Sequence, residues 1–63
     1  MKDKIEKLMK EENISFHELA RHFNISKQTL TKKINGTLDF TFDELIVLSK
    51  VFHIEDPMNY FFG

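Results

Sequence analysis

The sequence predicts an all-α fold of five short helices, and three observations carry that prediction. Apolar residues recur three and four positions apart, and no segment reads as a strand, a repeat or a long linker. Four places carry the chemistry of a helix start: Ser15 with Glu18, Ser26, Thr41 with Glu44, and Asp56 followed by Pro57. Asn24 and the Asn35-Gly36 pair supply stops, because Asn and Gly accept the left-handed backbone that ends a helix. A length of 63 residues allows one domain, residues 1–63, and without cysteine neither a disulfide nor a thiolate zinc site can staple it. The core must stabilise it alone, and a hydrophobic fraction of 41% with seven Phe suffices if the helices pack closely.

The elements follow in order. Ile5, Leu8 and Met9 give a first amphipathic helix from about Lys2 to Glu12, ended by Asn13-Ile14. Ser15 and Glu18 form a capping box that opens a second helix over 16–23, with Leu19, Ala20 and Phe23 on its inner face. Asn24 turns the chain, Ile25 plugs the turn, and Ser26 caps a third helix from Lys27 to about Asn35. Thr41 with Glu44 opens a fourth helix over 42–52, whose buried side is Leu45, Ile46, Leu48, Val51 and Phe52. Asp56-Pro57 starts a last helix that reaches Phe61 or Phe62.

Several function classes are excluded early. The amino terminus, MKDKIEKLMK, puts a charge every two or three residues where a signal peptide needs an apolar run, and the longest aliphatic run is Leu45-Ile46-Val47-Leu48. The reading is a soluble, cytoplasmic protein with no membrane partner. His17 and His22 are five apart and diverge by about 140° on a helix, so they do not share the face that a metal needs. His53 is read as a helix-terminal residue near the dipole rather than a ligand. No nucleophile motif or glycine-rich phosphate loop is present, and so small a helical chain has little room for a water-excluding pocket; no enzyme activity and no cofactor are expected.

Charge distribution says more than the net value of −1. From Leu19 to Leu38 there is no acidic residue, while Arg21, Lys27, Lys32 and Lys33 fall inside that window. From Asp39 to Asp56 the balance reverses, with Asp39, Asp43, Glu44, Glu55 and Asp56 against Lys50. The basic window contains the third helix, SKQTLTKKING, in which only Leu30 and Ile34 can face a core. A short helix with small and amide-bearing residues at its amino end, following a tight turn from a capped partner, has the layout of a helix-turn-helix over about 16–35.

The motif FHELARHFNISKQTLTKKI, with Leu19-Ala20, Ile25 in the turn, Leu30 beyond it and the Asn35-Gly36 ending, resembles the phage repressor and Cro class of helix-turn-helix domains, often called XRE-like. LIVLSKVFHI resembles that family's fourth helix, and the likeness runs from about Ile5 to Phe62. It implies a lambda-repressor-like fold in a bacterial cell or phage-infected host. Two departures stand out. The family usually has an apolar residue followed by Glu before Asn-Gly, where this chain has Lys33-Ile34, and it often opens helix two with a phosphate-gripping Gln, where this chain has Phe16.

The resemblance implies that the third helix enters the major groove of double-stranded DNA, with Lys27, Gln28, Thr31 and Lys32 at base edges. It implies phosphate contacts from Ser15, Arg21, Thr29, Lys33, Asn35, Gly36 and Thr37. Leu19, Ala20, Ile25 and Leu30 are the motif's core. Two protomers on a pseudo-palindromic operator are the family's usual arrangement, and Tyr60, Phe61 and Phe62 are the expected homodimer surface, with Phe40 or Val47 beside it. The expected role is a Cro-like transcriptional repressor. A rival reading keeps the scaffold as a protein-interaction module, antirepressor-like or antitoxin-like, because the carboxyl-terminal half is acidic and the third helix has no Arg.

Overall fold

In the computed structural model, which describes residues 1–63, the chain forms α1 (Lys2–Glu12), α2 (Phe16–Phe23), α3 (Lys27–Asn35), α4 (Phe42–Val51) and α5 (Pro57–Phe62). The starts are fixed by side chains. Both capping boxes are complete: Ser15 Oγ accepts from the Glu18 amide while Glu18 Oε1 accepts from the Ser15 amide, and Thr41 and Glu44 repeat the exchange. Ser26 and Asp56 cap α3 and α5 through the amides of Thr29 and Asn59. Each cap satisfies an amide that the helix cannot, which contributes about 1 kcal/mol.

The stops are backbone conformations. Asn13, Asn24 and Gly36 sit at positive φ after α1, α2 and α3. So does His53 after α4, which gives it a backbone role beyond the helix-terminal charge expected of it. Phe52 is the cap of α4 and not its last helical residue, a correction of one position to the expected end.

Ten buried residues form one cluster: Ile5 and Leu8 from α1, Leu19 and Ala20 from α2, Leu30 and Ile34 from α3, Leu45, Leu48 and Phe52 from α4 and its cap, and Phe61 from α5. Every helix contributes, so no helix can leave without exposing the others. Helix α3 is held from two sides, by α1 and α2, and α4 closes over α2 and α5. Ile46 and Val51, expected in the core, are only half-buried.

Candidate nucleic-acid interface

Helices α2 and α3 make the site, and the three-residue turn between them fixes their relation. Asn24 at φ 57° reverses the chain, and its amide and that of Ile25 return to the carbonyls of Arg21 and Ala20. Ala20 is 3% exposed, its small side chain allowing α3 to lie close by, and Leu30, fully buried, pins α3 against the core. Ile25 is half-buried beneath the turn. With Leu30 and Ile34 both inside, the opposite face of α3 is directed to solvent.

That face carries Lys27, Gln28, Thr31 and Lys32, all exposed. Lys27, Gln28 and Lys32 make no side-chain hydrogen bond within the chain. Thr31 does, since its hydroxyl donates to the Lys27 carbonyl at 2.8 Å, so its hydroxyl hydrogen is occupied and its oxygen is left as an acceptor. No acidic residue lies in the first turn of α3, and the amides of Lys27 and Gln28 at its first two positions have no acceptor in the chain. The first two amides of α2, from Phe16 and His17, are likewise open. Such helix ends attract anions. A cleft of about 460 Å³ lies among Lys2, Glu6 and Met9 of α1, Phe16 of α2, and Thr31 and Asn35 of α3, so the start of α2 lies near α3 with α1 between them.

The remaining polar residues of the face fall into two groups. Ser15, Arg21, Asn35, Gly36 and Thr37 are exposed, while half-buried Thr29 has its hydroxyl beside Ser26 at 3.0 Å. Lys33 differs from all of them. Its side chain is 11% exposed, and its ammonium donates to Glu44 Oε1 at 2.9 Å and to the Asp39 carbonyl at 3.0 Å, 5.9 Å from the Phe40 ring centre. Expected among the phosphate contacts, Lys33 instead turns inward, because Ile34 takes the apolar place next to it and Glu44 offers a partner. Burial raises the Glu44 carboxyl, but hydrogen bonds from the Thr41 amide and Lys33, with the Lys33 charge, outweigh it and hold the group below its ordinary value. Glu18 is also lowered, by its hydrogen bonds with the Ser15 amide and hydroxyl.

A second surface lies behind the end of α3. Phe61, expected at a dimer surface, is 6% exposed and belongs to the core, where it meets Tyr60 edge-on at 5.0 Å. Tyr60 is partly covered by Lys4, whose ammonium donates to the Tyr60 carbonyl at 2.7 Å. Phe62 is 58% exposed, and with Leu38, Phe42 and Met58 it lines an open groove of about 640 Å³ that begins at Asn35 and Gly36. Phe42, Leu38 and Met58 carry no signal in the sequence because they sit at the start of a helix, in a loop and in the first turn of α5, where no period assigns a face. Phe40 packs on Phe23 at 5.9 Å and is half-buried.

A family model for the Cro/C1-type helix-turn-helix DNA-binding domain matches residues 4–56, the whole of α1 to α4 but for two residues at the start. The chain belongs to that family. No curated protein and no solved structure is significantly similar to it. The family match accords with the α2–α3 geometry and makes this a DNA-binding helix-turn-helix domain of Cro/C1 type. No group of three or more His, Cys, Asp or Glu is placed to hold a metal, and no helix is long and apolar enough to cross a membrane.

Proposed function

We propose that the protein is a Cro-like repressor that binds a pseudo-palindromic operator as a dimer and regulates transcription by occluding a promoter. The observation that carries this reading is the outer face of α3: Lys27, Gln28 and Lys32 project from a helix pinned by Leu30, with no partner inside the chain. Gln28 pairs with adenine through its amide, Lys27 and Lys32 donate to guanine acceptors, and the Thr31 methyl meets a thymine methyl. Ser15 with the open amides of α2, and Asn35, Gly36 and Thr37 behind α3, hold phosphates on either side, joined by Arg21 and Thr29. The second protomer docks on the groove of Leu38, Phe42, Met58 and Phe62. Four of the five large hydrophobics exposed on the chain line it, and its edge carries both Lys2 and Asp39, opposite charges that a two-fold axis can pair.

Selection from a randomised duplex pool at two salt concentrations tests the reading. A palindrome should be enriched, with affinity falling as salt rises, and Gln28→Ala should relax preference at one position per half-site by about 1–3 kcal/mol. No enrichment by a folded protein, or enrichment unchanged in Gln28→Ala, would overturn it.

A further inference from the structure

We propose that Lys33 is a positioning residue that sets the end of α3 and the loop behind it for DNA, and that it makes no phosphate contact itself. The inference rests on the DNA-binding reading above. Three partners surround the Lys33 ammonium: the Asp39 carbonyl, the Glu44 carboxylate and the Phe40 ring. They lie on the far side of the loop that leads out of α3. On the near side, the Gly36 amide bonds to the Lys33 carbonyl at 3.3 Å, and the Thr37 and Leu38 amides bond to the Lys32 carbonyl at 2.8 and 3.1 Å. Lys33 thus brackets the loop, its backbone holding the start and its side chain the end.

What lies between is what both surfaces need. Gly36 and Thr37 are exposed and stand among the proposed phosphate contacts, and Gly36 and Leu38 line the apolar groove. The same Glu44 oxygen that accepts from Lys33 accepts from the Thr41 amide at 2.8 Å, so the ion pair is tied to the cap of α4. A phosphate would have to draw Lys33 out of a mostly buried pair and leave Glu44 uncompensated, a costly exchange. Lys32, the preceding residue, is exposed and free to meet DNA without that loss.

The two roles predict opposite effects of changing Glu44. Lys33→Gln, Glu44→Gln and the double variant are titrated, beside the unaltered protein, against the duplex enriched from the pool, across a salt series and at a temperature where each is helical. Glu44→Gln keeps an oxygen that can cap α4 and removes the charge that pairs with Lys33, so it tests the pair in a folded protein if Lys33→Gln does not fold. As a positioning pair, each single change weakens binding about tenfold, the double change is no worse than either, and the salt slope is unchanged. Amide exchange at Thr37 and Leu38 rises in each variant. A salt slope lowered by about one per protomer in Lys33→Gln, with binding kept or tightened in Glu44→Gln, would identify a phosphate clamp and overturn the proposal. Binding unchanged in both single variants would overturn it too. If the unaltered protein binds no duplex, the DNA reading fails alone, and unchanged exchange at Thr37 and Leu38 would then overturn the positioning role separately.

Discussion

The face made by α2 and α3 and the face made around α4 and α5 are built on opposite principles. The first is polar, its helices opened by Ser15 and Ser26, and its cations Arg21, Lys27 and Lys32 stand free in solvent. The second keeps its acidic residues near helix starts and exposes Phe42 at 66% and Phe62 at 58%. Free charges suit a partner that is itself charged and wet, whereas bare rings suit an apolar one. The net charge of −1 is therefore an average over two surfaces of opposite character. Lys33 and Glu44 belong to one face each and neutralise one another between them. With Lys33 withdrawn, the cations left to displace counterions are Arg21 at a phosphate and Lys27 and Lys32 in the groove, and the salt slope should sit at about three released ions per protomer.

The strongest way to break the comparison is to remove what both faces share. Leu30 is fully buried, and in a chain of this size the core has little stability to spare. Leu30→Ala should cost about 3 kcal/mol and abolish DNA binding and dimerisation together. Thermal unfolding by circular dichroism checks it. A variant that lost DNA binding with its melting temperature unchanged would show that Leu30 is not the anchor of α3.

A more selective break leaves the fold intact. Phe42 and Phe62 contribute nothing to the buried cluster, so changing both to Ser should leave the melting curve nearly as it was. Dimerisation measured by analytical ultracentrifugation should weaken by about 2 kcal/mol, or about thirtyfold in Kd, from the loss of two apolar contacts. Single half-sites should still be bound. An unchanged dimerisation constant would mean that the groove serves some other partner.

All five helices are legible in the sequence because they follow from local rules: the capping boxes at Ser15 and Thr41, the Asn24 turn and the Gly36 stop each involve residues no more than three or four apart. The outer face of α3 is legible for the same reason, since Leu30 and Ile34 fix its orientation. The family pattern adds the DNA partner. What the sequence hides is long-range. Lys33 and Glu44 are eleven residues apart on different helices, and no periodicity joins them. The burial of Phe61 and the exposure of Phe62 depend on how α5 rotates against α4, which a helix of six residues does not announce. The Thr31 hydroxyl bonds to its own helix backbone, an option open to any helical Thr that composition alone does not decide.

The smallest expected effect sharpens the contrast between the ends of the helices. Three non-glycine residues hold positive φ: Asn13 at 56°, Asn24 at 57° and His53 at 58°. Asn and His both enter that conformation more readily than other side chains, but the short Asn side chain also bonds locally, so His53 is the position of the three where glycine has most to relieve. Its side chain is exposed and makes no hydrogen bond in the chain, while its backbone sits where the Ile54 amide can close on the Ser49 carbonyl at 2.8 Å. His53→Gly should keep that closure and relieve the strain, less the extra freedom that glycine brings to the unfolded chain, for a gain of about 0.5–1 kcal/mol. The melting temperature should rise by about 3–6 °C. Because His53 lies behind α4, far in the chain from Gln28 and Lys32, the preferred operator should be unchanged, and a shift in sequence preference would show that the two faces are coupled through the core.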